Sequence, residues 1–263
     1  MPKLAIIGYG NMGKAIADGL LLSGNFTKTD IVFGTDDASN IKAVKSAKTV
    51  ILAVKPDVIP VVINVIKDHL TTDHLIISVA ARVKINNIKK ILGENNRSGS
   101  SNSRNSKKHI PVVRVMPNIC AALRQSMSCW AKSREVTGAR VKVVKFILNS
   151  IGKEIEIKDE KQFGLITMLA GSGPAFYFYL AELFEKFAQQ NGLKPQDAEK
   201  IIKQTFLGSA MLFDKSDISA EQLRKNVTSK KGTTEAAIKV FKKYKFDKIF
   251  LKGLKAGHKR ASL

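Results

Sequence analysis

The chain predicts an α/β protein, with an open parallel sheet in its first half and helices alone in its second. Three observations carry this. Short apolar runs alternate with helix-spaced segments over the first ~150 residues, the pattern of strands joined by crossover helices. The turn Gly8-Tyr9-Gly10-Asn11-Met12-Gly13 follows the first apolar run directly and opens the first helical pattern. Past Lys158 only helical spacing remains, so domains of residues 1–158 and 159–263 are expected.

Taken in order, the strands expected are Lys3–Ile7, Asp30–Gly34, Thr49–Val54, Leu75–Val79, Val112–Met116, Ser128–Ala131 and Glu154–Ile157. Helical spacing covers Met12–Leu22, Asp57–Leu70 and Thr137–Ser150, and a short helix is expected to begin near Asn40. In the second half Pro174 and Pro195 fall where a first helical turn accepts proline, and Asn191-Gly192 has the form of a helix stop. Ser219-x-x-Gln222 is a capping box. Residues 95–108 hold no apolar side chain and are rich in Ser, Asn and Gly. Such a stretch buries too little surface to offset its ordering entropy, so a mobile surface insertion is expected there.

Composition narrows the function classes. A 263-residue chain with 44% hydrophobic residues can bury a substantial core. The apolar region Thr49–Ile66 is broken by Lys55, Pro56, Asp57, Pro60 and Asn64, and no segment reads as a membrane span. The apolar start turns at Gly8, too soon for a secretory core, and Cys120 and Cys129 form no disulfide framework, so a cytoplasmic protein is expected. The four histidines lack metal-ligand spacing, His69 and His74 read as surface residues beside a turn, and no metal is expected. There is no nucleophile elbow for a Ser-His-Asp hydrolase. Lys and Arg number 44 against 22 acidic residues, a net charge of +22 that attracts anions of any kind. No recognised nucleic-acid motif accompanies it, so nucleic acid is an unfavoured partner.

The glycine turn reads as a phosphate loop. Gly8, Gly10 and Gly13 permit a tight turn, close approach of a pyrophosphate and tight helix packing, and the helix start offers free N–H groups. Thr35, Asp36 and Asp37 follow the second strand, where a carboxylate would take the cofactor ribose hydroxyls. The same aspartates could instead cap the next helix. Lys42, Lys45 and Lys48 could serve a 2′-phosphate, so NAD and NADP both stay open. The loops Ala53-Val54-Lys55-Pro56, Ser78-Val79-Ala80-Ala81 and Met116-Pro117-Asn118 end three strands on the rim where ligands of such sheets sit.

These residues resemble the pyrroline-5-carboxylate reductase family. The likeness runs from Lys3 to about His258 and rests on four further runs besides the glycine turn. They are Ala53-Val54-Lys55-Pro56, Arg114-Val115-Met116-Pro117-Asn118, Gly171-Ser172-Gly173-Pro174-Ala175 and Val227-Thr228-Ser229…Gly232-Thr233-Thr234. The resemblance implies a Rossmann-type domain with reduced NADP or NAD and a helical domain that pairs with a second copy, such dimers often joining into rings. It implies that Gly8, Gly10, Asn11, Met12 and Gly13 hold the pyrophosphate. Ala53, Lys55 and Pro56 would flank the nicotinamide ribose, with Ala80 and Asn118 nearby. Ser229, Gly232, Thr233 and Thr234 would take the carboxylate of 1-pyrroline-5-carboxylate, and Thr234 would also bond the ring nitrogen. The helix after Gly173 carries no lysine in Pro174–Leu180, where related β-hydroxyacid dehydrogenases place one, which favours an imine over a ketone substrate.

The chain departs from the family pattern in three places. Between Thr35 and Lys48 it is short by roughly one βα unit, the outer one of the sheet, and an extended bridge of ~13 residues can reach ~40 Å across the first strand. Lys230-Lys231 stands where the family has Pro-Gly. Cys120 replaces a proline, and residues 95–108 have no family counterpart. Alternative readings are a catalytically impaired paralogue, a reductase of another imine or oxo acid, and a basic nucleic-acid-binding protein.

Overall fold

The computed structural model describes residues 3–93 and 109–262, and the insertion expected at 95–108 lies outside them. The strands are β1 (Leu4–Ile7), β2 (Ile31–Gly34), β3 (Thr49–Leu52), β4 (Leu75–Ser78), β5 (Val112–Met116), β6 (Ser126–Lys132) and β7 (Gly152–Glu156). The first five helices are α1 (Asn11–Leu22), α2 (Asp37–Ser46), α3 (Ile59–Ile66), α4 (Ile85–Ile91) and α5 (Gly138–Ser150). The later ones are α6 (Phe163–Ile166), α7 (Gly173–Gln190), α8 (Pro195–Lys215), α9 (Ala220–Asn226), α10 (Thr233–Lys243) and α11 (Phe246–Ser262).

The strands form one sheet in the order β2-β1-β3-β4-β5-β6-β7. Chain direction reverses at β6, which pairs antiparallel with β5, Val115 opposite Trp130, while β7 runs parallel to β6. The expectation of a parallel sheet therefore holds for β1–β5 and is corrected beyond them. Residues 117–125 between β5 and β6 are too few for the dozen or more that a parallel crossover takes.

Both faces of the sheet are covered, which explains the unbroken apolar strands. Ala5, Ile7, Val50, Leu52 and Val112 point into the layer that holds Ala43 and Val44 of α2 and Ile59 and Ile63 of α3. Leu4, Ile6, Ile51, Ile77 and Val113 point into the layer of Ile16 and Leu20 of α1 and Val144 and Leu148 of α5. β2 is the edge strand, so the missing βα unit is the outer one and the core closes without it. The bridge to β3 is the ten-residue helix α2 rather than extended chain. Its rise of ~15 Å suffices because β2 and β3 are only two strand spacings apart, about 10 Å.

His74 corrects the surface reading. It is 3% exposed. Its Nδ1 accepts the Thr71 N–H at 3.0 Å, so Nε2 carries the proton and donates to the Val44 carbonyl at 3.2 Å. The ring ties the start of β4 to α2.

The described residues form two compact units, one running through Pro174 and taking in the chain again from His258, the other spanning Ala175–Gly257. Two helix signals in the second stand as expected, Pro195 as the first residue of α8 and Gly192 at φ +82° after α7; the capping box at Ser219 is half formed, Ser219 Oγ accepting the Gln222 N–H while Gln222 Nε2 donates to Asn226 Oδ1. Many large apolar side chains of this unit are exposed, among them Phe178, Phe187, Leu212 and Phe241. Apolar surface of that extent marks an association site. It also corrects the hydropathy reading: Glu160–Gln190 is long and apolar enough, by length and composition, to cross a membrane. That stretch is interrupted by a π-helical turn at Thr167–Gly171 and a break at Ser172.

Candidate active site

Strand order gathers the predicted loops. Because β1, β3, β4 and β5 are neighbours and parallel, Gly8, Ala53, Val79 and Pro117 follow strand ends on one rim. Gly8 adopts φ +97°, and a Cβ there would lie 2.7 Å from the Ala53 carbonyl oxygen and from Val54 Cγ1. At Gly13 a Cβ would collide with the Gly8 carbonyl oxygen, so α1 can sit against the turn only without a side chain. Gly10 differs. It is the N-cap of α1, its φ of −76° suits any residue, and a Cβ would meet nothing within 4 Å among the described residues. Its missing side chain leaves room for something outside the chain.

α1 begins with no side-chain cap and no acidic residue in its first turn. The N–H groups of Asn11, Met12 and Gly13 therefore stay available at the positive end of a twelve-residue helix. Open approach at Gly10 and bare N–H groups fit a dinucleotide pyrophosphate.

At the end of β2 the carboxylate of Asp36 is already engaged. It caps α2 by accepting the Ser39 N–H at 2.9 Å, while Ser39 Oγ accepts the N–H groups of Thr35 and Asp36. The Ser39 N–H holds the Asp36 carboxyl below its usual range. The capping role read for Asp36 is formed, through one of its two carboxylate oxygens. Asn40, expected only as a helix start, is 4% exposed, and its Oδ1 has no hydrogen-bond partner among the described residues. It packs against Gly34, where a Cβ would collide with it. A polar residue one turn into a helix carries no sequence signal of such burial.

On the rim, the Ala53 N–H donates to Ile7 O at 2.8 Å, and Lys55 O accepts the Val58 N–H in the turn that contains Pro56. Lys55 is exposed and Ala80 is buried. Both ends of the Asn118 amide are used within the protein: Oδ1 accepts the Cys120 N–H, and Nδ2 donates to the Ala170 carbonyl, each at 3.0 Å.

Ser229, Gly232, Thr233 and Thr234 lie together in the second unit. The Gly232 N–H donates to Ser229 O at 3.1 Å, and a Cβ on Gly232 would collide with Ser229 Oγ. Gly232 is the N-cap of α10, with Thr233 and Thr234 as its first residues. Lys231, in the place of the family glycine, adopts φ +61° and donates its N–H to Glu235 Oε2 at 2.9 Å. The hydroxyls and helix-start N–H groups of this turn suit a small anion.

The fold and the phosphate loop define a Rossmann-type dinucleotide-dependent oxidoreductase with a helical association domain. Comparison with known proteins narrows this. Residues 160–263 match the family model for pyrroline-5-carboxylate reductase dimerisation, and residues 3–40 match that for coenzyme F420-dependent NADP oxidoreductase. Pyrroline-5-carboxylate reductase of Pseudomonas aeruginosa is 31% identical, the match covering 99% of this chain and 96% of the relative. Among solved structures, Plasmodium falciparum pyrroline carboxylate reductase with NADP bound superposes with a TM-score of 0.85 at 26% identity, covering 99% of this chain and 97% of the other. The Coxiella burnetii pyrroline-5-carboxylate reductase gives 0.81 at 31%, with the same coverage. The chain belongs to the pyrroline-5-carboxylate reductase family.

Proposed function

We propose that the protein reduces 1-pyrroline-5-carboxylate to L-proline with NADPH or NADH, in the cytoplasm, as a homodimer built on its helical domain, with dimers joined into a ring. The observation that carries the cofactor half is Gly10, open where Gly8 and Gly13 are packed shut, at the bare start of α1. Family membership supports the substrate half.

The cofactor, when bound, supplies a hydride from its nicotinamide ring. The chain's part is to hold the acceptor. Gly8, Gly10, Asn11, Met12 and Gly13 would take the pyrophosphate, Thr35 and Asp36 would border the ribose, and Ala53, Lys55, Pro56, Ala80 and Asn118 would shape the nicotinamide rim. Ser229, Gly232 and Thr233 hold the substrate carboxylate, and the Thr234 hydroxyl bonds the ring nitrogen. A protonated cyclic imine is electrophilic already, so the hydride adds to its carbon and the nitrogen lone pair is restored without a dedicated acid. Proximity and orientation then supply most of the rate.

Oxidation of each reduced nicotinamide by purified protein with the imine acid tests the reading, and light scattering tests the assembly. Turnover of an acyclic oxo acid but not of the cyclic imine would favour another substrate on the same scaffold.

A further inference from the structure

Arg114 is 4% exposed on β5, in the interior of the sheet. Its Nη1 donates to Glu160 Oε1 at 2.9 Å, its guanidinium lies 4.3 Å from the centroid of the buried Phe163 ring, and its Nε has no hydrogen-bond partner among the described residues. A buried guanidinium paired at one nitrogen is a poor source of stability, since an apolar side chain of similar volume serves as well or better. What the pair supplies is direction.

Glu160 Oε1 also accepts the N–H of Ile85, the first residue of α4, at 3.0 Å. One carboxylate oxygen thus joins β5, the end of the loop that carries Ala80, and the start of the helical stretch beginning at Phe163. That stretch holds the π-helical turn Thr167–Gly171, a rare form that accumulates at functional sites. The turn closes with the Ser172 N–H donating to Thr167 O at 2.7 Å, and Thr167 Oγ1 donates to Phe163 O at 2.7 Å. Its far end rests on the rim: Ala170 O accepts from Asn118, and a Cβ on Gly171 would come 3.0 Å from Met116 Sδ.

We infer that Arg114 is a positioning residue, which through Glu160 and Phe163 fixes the π turn against Asn118 and so sets the depth of the nicotinamide edge. The inference rests on the reading of Asn118 as part of that edge. At 4% exposure Arg114 is assigned no contact with cofactor or substrate and acts through Glu160 and Phe163. Its loss lets the turn drift by a fraction of a turn, which moves the rim rather than unfolding it.

The test compares wild type, Arg114→Met, Glu160→Gln and the double variant by steady-state kinetics, thermal unfolding and hydrogen exchange. Each single variant is expected to lower kcat about tenfold or more at a cofactor KM within about threefold of wild type. Both speed exchange of the Ser172 amide, and the double variant is no worse than the weaker single one. Wild-type kcat in Arg114→Met with unchanged exchange at Ser172 overturns the inference, as does a loss of kcat that tracks the melting temperature across the set. If wild type does not turn over the imine, the functional reading has failed, and exchange at Ser172 still decides whether the clamp exists.

Discussion

Gly13 and Gly8 are packed backbone to backbone, so that a methyl group on Gly13 would collide with the Gly8 carbonyl oxygen. Gly10, between them in sequence, faces open space. One motif therefore contains glycines needed by the fold and a glycine whose missing side chain the described fold does not require.

Substitution separates these roles. Gly13→Ala is expected to destabilise the protein by about 1–3 kcal/mol, because backbone must move to admit the methyl. Gly10→Ala is expected to leave the melting temperature within a degree or two, because the site has space and an ordinary φ. It should still weaken NADPH binding about tenfold or more by blocking the approach of the pyrophosphate. Calorimetric titration with thermal unfolding reads both.

His74 is structural. His74→Ala leaves the Thr71 N–H and the Val44 carbonyl without their partner, at a cost of about 2–4 kcal/mol in urea unfolding. Catalytic constants of the folded variant should match wild type.

Glu135 gives the stability a defined acid limb. Burial opposes its ionisation, but Lys89 at 2.7 Å, with Ser133, the Glu135 backbone and Arg134, holds its carboxyl down to about 2. A carboxyl depressed in the folded state adds stability above its ordinary value near 4.5, and that stability fades as pH falls toward 2. Glu135→Gln should therefore lose about 2–4 kcal/mol at neutral pH, with the gap to wild type narrowing below pH ~4.5. A gap that stays constant down to acid would contradict this.

Among the described residues β1–β5 were legible as apolar runs of strand length ended by Gly, Pro or polar residues, whereas β7, Gly152–Glu156, shows only the alternation of Ile155 with charged neighbours. The antiparallel sense of β6 was not, since Ser128–Ala131 reads alike in either direction and only the short 117–125 connection decides it. Asp36 was legible as two alternatives, of which the cap on Ser39 is formed through one carboxylate oxygen. His74 and Arg114 owe their burial to partners distant in sequence, Val44 and Glu160, which no local pattern reports, and Asn40 packs against Gly34 across the β2–α2 turn. The π turn at Thr167–Gly171 is likewise invisible, because its residues match ordinary helical spacing.

Lys231 stores strain that a glycine would not. A lysine at φ +61° costs about 1 kcal/mol, and its contact to Glu235 is made by the backbone N–H, which glycine keeps. Lys231→Gly is expected to raise stability by about that amount in denaturant titration.

The central proposal is hydride transfer to a cyclic imine held at Thr234. The most direct measurement follows loss of reduced-nicotinamide absorbance when purified protein meets 1-pyrroline-5-carboxylate, for wild type and Thr234→Val, with NADPH and NADH in turn. The expected result is turnover by wild type and a fall of about tenfold or more in kcat/KM for the variant at unchanged cofactor affinity. Wild type that binds cofactor yet leaves the imine unreduced with both nicotinamides, or a variant as fast as wild type, would contradict it.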